Sequence, residues 1–306
     1  MSVTHLCVGI DIGGTTIKAV TMRDGIVIDR TCEPTSRDAH QIIRVQVPHL
    51  VERLVGEGGD GLRIGVVVPG LVDDGTGMAL WSANLGWRNL DIVGEVSARV
   101  KGRVVAGHDV RAGLLGESRH GAGRGHDNLL FVPLGTGLAS ALVLGGRVVS
   151  AGPWTGEIGH VLVDAEGPLC GCGRQGCLEA YVGARAIQQR WLSMTGQTAS
   201  AEQIAHSVST GDLRARRIWD DATEELARAL ALILAATGVR RVIVGGGLSR
   251  AGDVLLDPLR WAIARRLPPD MPCEVVLAQL GEWAGAIGAA VLADESCADG
   301  AVEALA

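Results

Sequence analysis

The sequence predicts an α/β protein of two related domains, and three observations carry that expectation. Near the start, the apolar run 5–11 leads into Gly13-Gly14-Thr15-Thr16, and strand-like runs follow at 16–22 and 26–32. The same order returns later: 129–134 is apolar, Gly135-Thr136-Gly137 turns, a strand runs to Leu144, and Gly145-Gly146 leads into 147–150. A shared pattern with weak identity marks an internal duplication. Third, residues 62–68 form a nearly continuous apolar run, the composition of a buried parallel strand. A chain of 306 residues has room for two domains, and 47% apolar against 20% charged residues is ample for their cores.

In each repeat the glycines make a tight turn whose bare amides let a phosphate approach, and Thr15 and Thr16 add hydroxyl donors. Asp24-Gly25 joins the next two strands, a strong hairpin signal. A single Asp-x-Gly-Gly-Thr is also what an ordinary glycine hairpin looks like; the repetition favours phosphate. Two such clamps suggest the actin-like, RNase H-like architecture of the sugar-kinase and Hsp70-like superfamily. There, two α/β domains face a nucleotide and sugar cleft between them.

The intervening elements follow from pattern. Residues 37–55 read as a helix that Pro48 kinks or splits. Residues 69–73, Pro-Gly-Leu-Val-Asp, read as a loop, and Asn84 as a turn former ahead of Trp87. A short strand at 104–106 precedes Gly107-His108-Asp109-Val110-Arg111 and a helix at 112–120. Asp109 thus stands at or near a helix N-cap, and capping alone accounts for an aspartate there. Helices are expected at 201–209 and 214–237, a strand at 240–244, then Gly245-Gly246-Gly247 and a helix from about 253 to 266. Three glycines after a strand let a flat ligand lie against backbone; their plain role is a strand-to-helix turn. A strand at 274–279 and an alanine- and glycine-rich helix at 281–292 follow, and the tail beyond Asp294 is expected to fray.

The most informative stretch runs from Gly156 to Glu179. Cys170, Cys172 and Cys177 fall within eight positions, separated by glycines, with His160 ten positions upstream of the first. Three thiolates and an imidazole make a closed tetrahedral zinc set, although the spacing is not that of a common zinc finger. A disulfide is the other use of clustered cysteines. Cys170 and Cys172 are too close for an easy bridge, and nothing indicates a secretory context. Cys7 and Cys273 sit in apolar runs and read as buried free thiols.

This stretch resembles the signature of the ROK family of sugar kinases and repressors: Glu-Ile-Gly-His, then Cys-x-Cys-Gly-x-x-Gly-Cys-Leu-Glu. Glu157, Gly159, His160, Cys170, Cys172, Gly173, Gly176, Cys177 and Glu179 occupy every fixed position. The resemblance extends in order from Asp11 to Ala290. It implies a structural zinc on His160, Cys170, Cys172 and Cys177. It also implies hydrogen bonds from sugar hydroxyls to Glu157, Glu179 and the second nitrogen of His160. It makes Asn84 a sugar ligand and Asp109 the catalytic base that takes the proton of the attacking hydroxyl. ATP with Mg2+ would lie on Gly13, Gly14, Thr15, Thr16, Gly135, Thr136 and Gly137, with Asp11 holding magnesium through water and Gly245-Gly246 at the adenosine end. The family pattern around the base is Asn-Asp-Ala-Asn. His108 and Arg111 replace both asparagines, and His108 is expected to face the sugar and to change its donor pattern near neutral pH.

By that resemblance the chain is an ATP-dependent sugar kinase, glucose to glucose 6-phosphate first, with N-acetylmannosamine, N-acetylglucosamine or a sugar-like cyclitol as alternatives. A ROK-type transcriptional regulator or sugar sensor is the alternative of another class. Regulators carry a winged helix ahead of the first turn, and Asp11 leaves no room for one. A net charge of −6 argues against a general nucleic-acid or membrane-surface binder. No basic segment leads into a cleavable apolar run, so a cytoplasmic protein is expected. A small domain of residues 1–108, with the helix 287–306 packed back on it, and a large domain of 109–286 with the zinc motif are expected. The family implies a homodimer.

Overall fold

The computed structural model describes residues 6–56 and 61–298, which pack as two compact units. The first takes the chain up to Arg124, Ser150–Thr155 and the stretch from Glu282; the second takes Gly125–Val149 and Gly156–Gly281. No helix among the described residues is long and apolar enough to cross a membrane.

The first unit is built on strands β1 (Leu6–Ile12), β2 (Thr16–Arg23), β3 (Ile26–Pro34), β4 (Arg63–Val68) and, past a smaller sheet, β8 (Arg103–His108). Their order is β3-β2-β1-β4-β8. β1 runs antiparallel to β2 and parallel to β4, and β4 runs parallel to β8. One face of the sheet carries the core: Val8, Ile10 and Ile12 of β1 and Ile64, Val66 and Val68 of β4 alternate onto it, with Ile43, Leu50 and Ile92 packed above. The period of two makes one face apolar and leaves Gly9, Asp11, Gly65 and Val67 on the other.

The helix expected at 37–55 is divided. α1 (Ala39–Gln41) passes into a π-helical turn, Ile42–Gln46, before α2 (Val47–Val55). Pro48 sits in the first turn of α2, where its missing N–H is no loss, and the wide turn ahead of it closes Val47 N–H onto Ile42 O. The segment 69–73 is not all loop. β5 (Leu71–Asp73) pairs with β6 (Met78–Ser82), which pairs with β7 (Trp87–Asp91), in a small antiparallel sheet. Three-residue strands carry too little alternation to be read from sequence. α3 (Ile92–Ser97) follows, and α4 (Asp109–His120) starts directly from the end of β8.

The final helix, Ala284–Ala298, extends past the expected fraying point; residues 299–306 lie outside the described ones. It lies directly on the second face of the sheet. A Cβ at Gly9 would fall inside the van der Waals shell of Ala286 O, and one at Gly65 inside that of Ala289 O. Gly288 meets Ala112 of α4 in the same way, and Gly116 of α4 meets Ala284 and Gly288. This backbone-to-backbone packing places α4 in the first unit. The chain therefore divides after Arg124, not between residues 108 and 109 as the sequence suggested.

The second unit repeats the plan. β9 (Leu129–Pro133), β10 (Ala141–Leu144), β11 (Arg147–Val148), β12 (Arg241–Gly245) and β13 (Glu274–Leu277) form a sheet of order β11-β10-β9-β12-β13. β9 is antiparallel to β10 and parallel to β12, and β12 is parallel to β13. Order and direction match the first sheet strand for strand, so the duplicated pattern in the sequence is a duplicated topology. Its helices are α5 (Glu179–Val182), α6 (Ala184–Thr195), α7 (Ala201–Ser209), α8 (Leu213–Thr237) and α9 (Asp253–Ala264). Ser200 and Gln203 close a capping box on α7, and Asp212 accepts from Arg214 N–H and Ala215 N–H at the start of α8. Ile218, Trp219, Leu226, Leu230 and Leu234 of α8 form the centre of its core. Cys7 is buried as expected, whereas Cys273 is only half-buried.

Gly288→Ala tests the bare-backbone contact. The added methyl has no space against Ala112, and such overpacking costs about 1–3 kcal/mol. The expected result in denaturant or thermal unfolding is a loss of that size.

Candidate active site

In the first unit, β1 delivers Asp11 to the edge of the Gly13-Gly14 turn. Gly13 N–H donates to Thr16 O at 3.1 Å, and Thr35 clamps the turn by donating its hydroxyl to Gly13 O at 2.7 Å and its N–H to Thr15 O at 3.0 Å. Gly14 and Thr15 remain exposed on a turn held from behind. Asn84, in the turn between β6 and β7, faces it: a methyl at Gly14 would sit 3.6 Å from its Cβ.

The β8–α4 junction adds His108, Asp109 and Arg111. The cap is His108, not Asp109: its Nδ1 accepts from Val110 N–H at 3.2 Å, and Asp109 opens the helix. The Asp109 carboxylate also accepts from Val110 N–H, at 2.7 Å, and stays partly exposed. His108 is 4% exposed. Burial lowers its pKa below the ordinary value; Asp109 opposes that and Arg111 adds to it. Burial thus favours the neutral ring, whose Nδ1 is committed to the helix cap.

Arg111 is also buried, and Asp74 answers it. Nη2 donates to Asp74 Oδ1 at 3.0 Å and Nε lies 2.9 Å from Oδ2; further bonds run to Val72 O at 3.3 Å and Thr155 O at 3.2 Å. Ser150 donates its hydroxyl to Asp74 Oδ2 at 2.6 Å. Arginine in place of asparagine thus ties α4 to the end of β5 and to Ser150–Thr155. Asp74 was missed by sequence reasoning. Nothing local marks it, because its partner lies 37 positions away.

In the second unit, the ligand atoms of His160, Cys170, Cys172 and Cys177 all lie within 4.8 Å of one another. Cys172 Sγ and Cys177 Sγ are 3.7 Å apart, as are Cys170 Sγ and His160 Nδ1. A disulfide would bring two sulfurs to about 2.05 Å. A separation of 3.7 Å is instead the edge of a tetrahedron with metal–sulfur bonds of about 2.3 Å. The four side chains therefore form a set able to hold a metal ion. Burial pushes the Cys170 thiol up to about 12, so a cation there would be what makes it a thiolate.

Glu157 is half-buried at the head of the single turn Ile158–His160. Gly156 and Gly159 on either side of it press on the carbonyls of Ser140 and Leu138. Glu179 opens α5, and its Oε2 accepts from Leu138 N–H at 2.9 Å, next to the Gly135-Thr136-Gly137 turn. That turn closes with Gly135 N–H on Gly137 O at 3.1 Å. Gly246, with φ +76°, is pressed against Leu134. Gly245 is buried against Phe131, while Gly246 and Gly247 are exposed. Gly135, Thr136 and Gly247 line a cavity of about 970 Å³ together with Gln203, His206 and Arg250. The last three carry no sequence signal. α7 is brought to the turn by packing alone.

Burial, with the Asp109 carboxylate adding to it and Lys18 opposing, pushes Asp11 up to about 7. A folded state that holds a proton more tightly than the unfolded chain has that contribution in full below the unfolded pKa of 3.8 and loses it as pH rises through about 7. Asp11→Asn should therefore gain thermal stability over wild type on going from about pH 4 to about pH 8 in magnesium-free buffer, with no difference at the acid end. Parallel melting curves across that range would refute the assignment.

Comparison with known proteins agrees with this geometry. The sequence profile described as "ROK family" matches residues 7–296. A glucokinase from Thermotoga maritima is 33% identical, covering 94% of this chain and 97% of its own length. An N-acetylmannosamine kinase from Escherichia coli is 31% identical over 93% of this chain and 97% of its own. Among solved structures, a ROK family glucokinase from Streptomyces griseus in complex with glucose and AMPPNP superposes with a TM-score of 0.81 at 31% identity, covering 95% of this chain and 99% of that one. A match from the first strand to the final helix leaves one assignment, that the chain belongs to the ROK family.

Proposed function

We propose that this protein is an ATP-dependent sugar kinase that phosphorylates a hexose hydroxyl, converting glucose to glucose 6-phosphate. The observation that carries the reading is the first unit's arrangement. A partly exposed carboxylate, Asp109, opens α4 beside a buried histidine, in the unit whose Gly13-Gly14 turn leaves its phosphate-facing side open. The T. maritima and S. griseus relatives, named as glucokinases, support glucose. The E. coli relative makes N-acetylmannosamine the second candidate.

In this reading Asp109 accepts the proton of the attacking hydroxyl. Its carboxylate is held by the Val110 N–H so that one oxygen stays oriented. Asn84 and His108 face the sugar hydroxyls. From the second unit, Glu157 and Glu179 accept hydroxyl hydrogen bonds, and His160 uses the nitrogen that does not face the sulfurs. Amides at Gly13, Gly14 and Gly135–Gly137, with Thr15, Thr16 and Thr136, bind phosphate oxygens, and Gly245-Gly246 with the adjoining cavity takes the adenosine. Phosphoryl transfer rests on such positioning and on charge neutralisation. Magnesium carried by ATP would supply neutralisation, and Asp11 is the residue that would help to hold it. The metal of the cysteine cluster is zinc, held by His160, Cys170, Cys172 and Cys177, and its contribution is to fix the loop. The reading includes a homodimer and no nucleic-acid partner.

A coupled ATPase assay over a panel of hexoses, N-acetylhexosamines and cyclitols tests the reaction, with glucose expected to give the highest kcat/KM. Asp109→Asn should lower turnover by about 10²-fold or more while sugar binding persists. Full activity in that variant would remove Asp109 from the chemistry. Metal analysis of protein purified without chelators should find one zinc per chain. Cys172→Ser should lower both the zinc content and the melting temperature, and a metal-free preparation with an unchanged melt would refute a structural zinc.

A further inference from the structure

Glu179 stands in the signature as a residue for the sugar, and one oxygen of its carboxylate is engaged elsewhere as well. Oε2 accepts from Leu138 N–H at 2.9 Å. Gly137 has no room for a side chain, because a Cβ there would lie 2.7 Å from that same oxygen. The chain beyond Glu179 holds the turn again: Ala184 N–H donates to Gly135 O at 2.9 Å, and a Cβ on Gly183 would lie 2.9 Å from Thr136 O. On its other side, Glu179 Oε1 lies 3.9 Å from Cys170 Sγ of the metal cluster. One carboxylate thus stands between the cysteine loop and the Gly135-Thr136-Gly137 turn, and all of these contacts lie within the second unit.

We infer that Glu179 is a positioning residue for the nucleotide: it braces the Gly135–Gly137 turn from behind and so links the metal loop to phosphate binding, independently of any sugar. The physical ground is the orientation of one peptide. A turn of two glycines and a threonine has little side-chain packing to hold its amides in place. A side-chain oxygen on Leu138 N–H fixes the peptide that joins Gly137 to Leu138, and a peptide N–H left without its acceptor is costly. The inference rests on the nucleotide reading of this turn.

The experiment is titration calorimetry of Mg·ADP in the absence of sugar, on wild type, Glu179→Ala and Glu179→Gln. Glutamine keeps an oxygen acceptor for Leu138 N–H and removes the charge, whereas alanine removes both. Alanine should weaken Mg·ADP binding by about tenfold, and glutamine should restore it to within about threefold of wild type. Equal affinity in wild type and Glu179→Ala would overturn the brace, as would equal weakening in both variants, which would make the charge the cause. Absence of Mg·ADP binding to wild type would overturn the nucleotide reading and the brace with it. Hydrogen exchange on the wild type gives a test that needs no variant to fold. The Leu138 amide should be protected well beyond that of the exposed Thr136, and exchange at the rate of a free turn amide would refute the bond.

Discussion

The bare-backbone seat of the final helix is the contact on which the first unit depends. Gly9 and Gly65 remove the side chains from one face of two central strands, so helix carbonyls come down onto the strand backbone. Gly288 and Gly116 let α4 come equally close. Close approach of backbone is what glycine alone permits, and here it serves the site. It sets Gly285 against the Asp11 carboxylate and fixes the helix whose first residue is Asp109. Asp11 is thereby held near enough to the Asp109 carboxylate for its own charge to be disfavoured, on top of the larger effect of burial.

Beside the proposed base, a buried arginine is held by a partly exposed carboxylate. Arg111 pairs with Asp74, and bonds to Val72 and Thr155 and from Ser150 extend the network. Removing the Asp74 carboxylate would leave the buried Arg111 charge without its ionic partner, a costly loss. Where the family pattern has asparagines on both sides of the aspartate, this chain has a histidine that caps the helix and an arginine that ties three segments together. The departures are built into the scaffold around Asp109, and the aspartate itself keeps the open position.

The second unit solves a different problem, how to hold loops that carry almost no side chains. The stretch Gly156–Glu179 is rich in glycine; it packs on Leu138 and Ser140 and gathers four side chains able to hold a metal ion. Glu179 is where the cysteine loop and the Gly135-Thr136-Gly137 turn share a single side chain.

Much of this was legible in the sequence. Strand–turn–strand order repeated twice is a local pattern, and each sheet bears it out in order and direction. The cysteine and histidine set was readable because its members are close in the chain and their types allow few other uses. Asp109 stood out for its place after a strand and before a helix. What the tertiary structure decided was which residues meet across long separations. Asp74 finds Arg111, α7 brings Gln203 and His206 to the Gly135 turn, and the last helix claims α4 for the first unit, moving the division from 108 to 124. The small sheet of β5, β6 and β7 escaped notice because β5 has only three residues and β7, Trp87–Asp91, shows neither an apolar run nor alternation. Local propensity and motif chemistry are written along the chain. Burial, and with it the lowered pKa of His108 and the raised one of Asp11, exists only once distant segments exclude water together.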